Sequence, residues 1–130
     1  MTRIDQLLIY STEARRQQFN ATGIAFWEAD RDGLTVFVSD KASQIMGMLP
    51  EQALGHGWAT TLSSDDRSRV FQEWKDAVDQ KRNYLSVHTY VHDNGERVTV
   101  QARAHPIVDA TGKTIGIVGT MIPSNWTPPV

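Results

Sequence analysis

YLSVHTYVHDNGERVTVQARAHPIVDATGKTIGIVGTMI, residues 84–122, is the stretch that decides the fold. Two alternating runs, 84–92 and 96–105, meet at His92-Asp93-Asn94-Gly95-Glu96. An Asn-Gly pair between alternating runs is the strongest short-range hairpin signal, because both residues tolerate φ > 0. With Asn94-Gly95 as a two-residue loop, Val91 faces Val98, Thr89 faces Val100, Val87 faces Ala102 and Leu85 faces Ala104. The other face then reads His92/Arg97, Tyr90/Thr99, His88/Gln101, Ser86/Arg103 and Tyr84/His105. This register predicts one apolar and one polar face, and a slip of one residue would exchange them.

A second turn, Asp109-Ala110-Thr111-Gly112-Lys113, leads into 114–122. There Ile115, Ile117, Val118, Met121 and Ile122 put apolar groups on both faces, the pattern of a strand covered on both sides. A central place in the sheet is predicted for it. Gly116 and Gly119 imply close approach by another group, by a ligand or simply by tight packing.

The chain has 130 residues, 40% hydrophobic and 22% charged, with a net charge of −2, the profile of one ordinary globular domain. No basic excess points to nucleic acid, and no run approaches the ~20 apolar residues of a membrane span. Cysteine is absent, which excludes disulfides, thiolate metal sites and cysteine-linked cofactors. The N-terminus lacks the apolar core of a signal peptide, so a cytoplasmic location is expected.

Residues 3–20 read as an amphipathic helix carrying Ile4, Leu7, Leu8 and Tyr10 in its first turns. Strands at 24–29 and 34–38 flank the turn Asp30-Arg31-Asp32-Gly33. Ser39-Asp40 offers an N-cap for a helix over 41–46 that Gly47 ends. Pro50 starts another short helix that Gly55 stops. Ser63-Ser64-Asp65-Asp66 begins a helix reaching about Arg82, with Val70, Phe71, Trp74, Ala77 and Val78 on the face toward the sheet. Pro123, Pro128 and Pro129 predict an extended tail.

In this order the elements and motifs resemble a PAS domain, of the branch with a tryptophan ahead of the long helix. The likeness is carried by residues 23–30, by 45–55 (Ile-Met-Gly-Met-Leu-Pro-Glu-Gln-Ala-Leu-Gly) and by Trp58 ahead of Asp65-Asp66-Arg67. It continues through Asp93-Asn94-Gly95-Glu96 and 109–113 to Gly116 and Gly119. The Asp-Ile-Thr common after the last strand in that family is Pro123-Ser124-Asn125 here. The resemblance implies an α+β fold, a five-stranded antiparallel sheet with helices on one face around a small cavity. Residues 22–122 form the expected domain, 1–21 an N-terminal helix and 123–130 a tail. A non-catalytic sensory role is implied, in a homodimer coupled to an output domain or protein.

The predicted register brings Val70, Trp74, Val87, Thr89, Val100, Ala102, Val118 and Thr120 together between helix and sheet, and Phe26, Met46, Leu54 and Trp58 join them as candidate binding residues for a small, mostly apolar ligand. A packed core without a ligand is the alternative. The same register turns Tyr84, Tyr90, Ile117 and Met121 away from the helices. Ile117 and Met121, with Ile4, Leu7, Leu8 and Tyr10, form the expected dimer interface.

Ser63, Ser64, Asp65 and Asp66 read as capping residues rather than a nucleophile beside acids. His88 and His92 are ~13 Å apart along a strand, too far to share a metal. No metal or enzymatic constellation is predicted. Haem is not expected, because the resemblance would place its histidine on the long helix and none lies between Asp65 and Arg82. A noncovalent flavin stays open, since Trp74 resembles a tryptophan of flavin-binding members.

Overall fold

Glycine sets the register of the sheet. The computed structural model describes residues 13–18 and 20–124. In it three loops, 30–34, 92–96 and 109–113, close in the same way. The first residue's N–H donates to the fifth residue's carbonyl at 2.8–2.9 Å, and the glycine at the fourth position donates back to the first carbonyl at 2.9–3.0 Å. Gly33, Gly95 and Gly112 hold φ of +86°, +87° and +84°, while Asn94 stays at negative φ. This is a three-residue loop with one left-handed residue, not the two-residue loop that needs two of them.

The loops join β1 (Phe26–Ala29) to β2 (Thr35–Val38), β3 (Tyr84–Val91) to β4 (Arg97–Val108), and β4 to β5 (Thr114–Pro123). All five strands form one antiparallel sheet in the order β2-β1-β5-β4-β3. β5 occupies the centre, as its two-sided apolar pattern requires.

The extra loop residue shifts the β3–β4 register by one from the expected pairing. Thr89 pairs with Thr99, His88 with Val100, Ser86 with Ala102 and Tyr84 with Ala104. Since side chains alternate, the whole strand turns over. Tyr84, Ser86, His88 and Tyr90 face the core, and Leu85 and Val87 stand 60% and 56% exposed on the outer face. Ile117 and Met121, expected outside, are buried at 6% and 5%. They belong to the core cluster with Val100, Ala102 and Trp74, so they are not a dimer surface.

Between β2 and β3 the chain forms α1 (Asp40–Met46), 3₁₀ turns at Pro50–Ala53 and Gly57–Thr61, and α2 (Arg67–Asp79). Ser39 Oγ accepts the Ala42 N–H and caps α1, and Gly47 ends it at φ +73°. α2 begins at Arg67, later than the expected start at Ser63, and its N-cap residue Asp66 spends its carboxylate elsewhere. Its Oδ2 accepts the Thr89 N–H of edge strand β3 at 2.9 Å, and its Oδ1 accepts from Arg69 at 3.1 Å. Arg69 also donates to the Val87 carbonyl, and the Ser63 N–H to the Thr89 carbonyl. These contacts occupy the outward backbone groups of an otherwise open edge.

On the outer face, residues 13–18 and 20–21 are helical. Arg15 and Arg16 both donate to the buried Glu28 carboxylate, and Arg16 lies 4.9 Å from the centre of the Phe37 ring. Ile4, Leu7, Leu8 and Tyr10, the rest of the expected interface, lie outside the described residues, as does the tail beyond residue 124. Among the described residues no helix is long and apolar enough to cross a membrane.

Candidate functional site

An internal cavity of about 30 Å³ lies between the helices and the inner face of the sheet. Trp74, at the middle of α2, organises it. Its Nε1–H donates to the Gly33 carbonyl at 3.0 Å, fixing the indole over the β1–β2 loop. Trp27, Tyr84 and Trp58 approach it edge-on, with ring centres at 5.0, 5.1 and 6.4 Å. Trp27 reaches Trp74 by lying across Gly119, where any side chain would collide with its ring. That is the close approach Gly119 exists to allow. Met46 from α1 and Met121 from β5 complete the apolar wall, with Val38 and Ala102.

The polar part of the lining comes from β3. Ser86 Oγ lies 2.9 Å from His88 Nδ1, and His88 Nε2 lies 3.3 Å from the Tyr90 hydroxyl. A neutral imidazole satisfies both neighbours, donating from one nitrogen and accepting at the other. Burial, at 3% exposure, pushes the His88 pKa down to about 4, so the ring is neutral at physiological pH. Burial likewise raises the Tyr84 hydroxyl to about 12 and the Tyr90 hydroxyl above its ordinary value. The cavity lining therefore combines uncharged hydrogen-bonding groups with apolar surface.

Of the expected binding residues, Met46, Trp58, Trp74 and Ala102 line this cavity. Val70 and Val100 are fully buried beside it without lining it. Leu54 is 45% exposed on the short-helix segment. Phe26, Val118 and Thr120 lie on the outer face, around an open groove of about 480 Å³ with Arg15, Arg103 and His105. Val87 and Thr89 are on that face too, where Thr89 bonds Thr99. The one-residue register shift explains the misplaced β3 positions. Trp27, Thr35, Val38, Tyr84, His88, Tyr90 and Met121 line the cavity without having been expected there.

The other histidines serve elsewhere. His92 Nε2–H donates to the Ile45 carbonyl at 2.8 Å, His56 packs edge-on to Phe71 at 5.1 Å, and His105 stands on the outer groove. Among the described residues no three His, Asp or Glu side chains are grouped to hold a metal ion.

A sequence model described as the PAS fold matches residues 35–121. No curated protein matches the chain. Among solved structures the chain is similar to the LOV protein of Rhodobacter sphaeroides, at 18% identity over 88% of this chain and 67% of that one, with a TM-score of 0.70. It is similar to the N-terminal domain of a diguanylate cyclase with a PAS/PAC sensor from Marinobacter aquaeolei, at 15% identity over 75% and 92%, TM-score 0.66. A light-oxygen-voltage domain from work on a flavin analogue is similar at 12% identity over 84% and 83%, TM-score 0.69.

Proposed function

The chain belongs to the PAS fold family, and on that premise we propose that it is a non-catalytic signal-sensing module whose internal cavity receives a small, mostly apolar guest. The observation that carries this reading is the mixed cavity lining: Met46, Met121 and three tryptophans together with Tyr84, His88 and Tyr90. Apolar surface with a few placed hydrogen-bonding groups is how a protein holds a small neutral molecule. Methionine is unbranched and adaptable, so Met46 and Met121 let a cavity of about 30 Å³ widen around a guest. In this reading the guest shifts α1 and α2 against the sheet. The output contact is on the outer face, where Leu85, Val87 and Ile122 are exposed, and either an output domain or a second copy of the chain takes it.

A ligand-free module is the second reading, favoured by the cavity's volume: about 30 Å³ is closer to a trapped water than to a bound metabolite. A flavin fits poorly. Drug-sized ligands take roughly 300–1,000 Å³, and the cavity that Trp27, Trp58 and Trp74 line holds about 30 Å³. Native mass spectrometry of the full chain as purified separates these readings. A small noncovalent adduct supports the sensing cavity. The bare chain mass, with no adduct and no thermal stabilisation by any small apolar additive, contradicts it. A yellow preparation with an adduct of flavin mass would replace it.

A further inference from the structure

We propose that a second, separate site on this fold binds a small oxyanion, the phosphate or carboxylate group of a small molecule. It is a notch of about 10 Å³ where the end of α2, the β1–β2 loop and the start of β5 meet. Arg31, Lys81 and Arg82 line it, and no acidic side chain does. Among the described residues no ion pair involves any of these three cations. Asp30, Asp32 and Asp109 of the two adjoining loops form no ion pair with them. Asp30 Oδ1 accepts the Asp32 and Leu34 N–H groups, and Asp109 Oδ1 accepts from Thr111 and Lys113, each within its own loop. Three clustered cations are out of keeping with a chain whose net charge is −2.

A second, independent feature points to a ligand. Thr114, the first residue of β5, also lines the notch and is only 8% exposed, yet its Oγ1 has no hydrogen-bond partner. Buried hydroxyls are almost always satisfied, and an orphan beside cations calls for an acceptor that brings negative charge. When the Thr114 side chain turns toward the notch, one oxygen of a phosphate or carboxylate accepts from its hydroxyl while the others stay at the rim with the guanidinium and ammonium groups.

Lys81 agrees with this. The Arg82 N–H donates to the Ala77 carbonyl and the Lys81 N–H to the Val78 carbonyl, a helix ending that glycine ordinarily completes. Lys81 instead holds φ 54°, the one described non-glycine residue at positive φ, and so keeps a cation where a glycine would relieve the strain. Trp74 and Tyr84 line both the notch and the internal cavity, so an anion here presses on the wall of the sensing site.

The test is an amide NMR titration of the full chain with inorganic phosphate and, separately, acetate, at ionic strength held constant with chloride. We expect saturable shifts centred on residues 31, 81, 82 and 114. Thr114→Val should weaken binding at least threefold while leaving the fold unchanged. Lys81→Gly should raise the melting temperature yet weaken binding, a split that a purely structural lysine would not give. Tighter phosphate binding assigns a phosphate group and tighter acetate binding a carboxylate. Shifts that do not saturate, shifts that chloride reproduces, or unchanged affinity in both variants would overturn the site.

Discussion

His92 Nε2 donates a hydrogen bond to the Ile45 carbonyl at 2.8 Å, tying the β3–β4 loop to the last turn of α1. In the two sister loops this position is Asp30 or Asp109, which caps its own backbone. His92 leaves that task to Asn94, whose Oδ1 accepts the Glu96 N–H, and reaches across to α1 instead. Its ring occupies the space over Gly47 that any side chain would need.

The first prediction follows from that strap. His92→Asp restores the cap of the sister loops and removes the bond to α1. Hydrogen exchange should speed up in residues 40–46 while the β3–β4 amides keep their protection. Loosening of the hairpin with α1 unchanged would show that the strap does not hold the helix.

The loop itself yields a second prediction. Only Gly95 of the pair is left-handed, at φ +87°. Gly95→Val should cost roughly 1–2 kcal/mol or more, because a β-branched residue resists that region. Asn94→Ala should cost about 1 kcal/mol or less, the value of one exposed side-chain cap. Denaturant unfolding checks the order, and a more damaging Asn94 change would restore the two-residue loop.

His88 makes stability depend on pH. Its folded pKa is about 4, lowered from 6.5 chiefly by burial, with the charges of Asp66, Arg69 and Glu73 on α2 as smaller influences. Between those values the unfolded chain binds a proton that the folded chain refuses. Stability is therefore full above about pH 6.5 and is lost as pH falls toward 4, by about 3 kcal/mol at most from this group. Unfolding free energies for wild type and His88→Leu should converge in slope outside this window and differ inside it. Equal slopes throughout would mean that His88 takes its proton in the fold.

Trp74 joins the helix layer to the sheet through three edge-on aromatic contacts and the bond to Gly33. Trp74→Ala should cost roughly 3–5 kcal/mol. Thermal or denaturant melts measure it, and a loss under about 1 kcal/mol would mean that the core closes without it.

The sequence made the element order readable, because turn glycines, the Ser39 cap and Pro50 are local signals. It also placed β5 centrally, since Ile115, Ile117, Val118, Met121 and Ile122 leave neither face free for water. The face of β3 was not readable by hydrophobicity. One side offers Leu85 and Val87, the other Tyr84 and Tyr90, and either set can close a core. The aliphatic pair looked like the inner side, but the aromatic side carries more area and finds hydrogen bonds through His88 and Ser86. The deciding signal was the loop length. Glycine stands at the fourth position of 30–34 and 109–113 as it does of 92–96, and that shared spacing marks a three-residue loop. The same shift moved Val87 and Thr89 off the cavity and hid His88, Tyr84 and Tyr90. Trp27 was obscured for another reason: its place depends on the missing side chain of Gly119 in a partner strand, which no local pattern reveals.

The most direct test of the sensing cavity is methionine-methyl NMR of the full chain under xenon pressure. Xenon is an apolar probe small enough to enter without a named ligand. Met46 and Met121 line the cavity, whereas Met48 does not. Saturable shifts of the Met46 and Met121 methyl signals are expected, with Met48 unmoved. Uniform, non-saturating drift of all methionine signals would contradict it, and the core would then be a packed support with no chamber to fill.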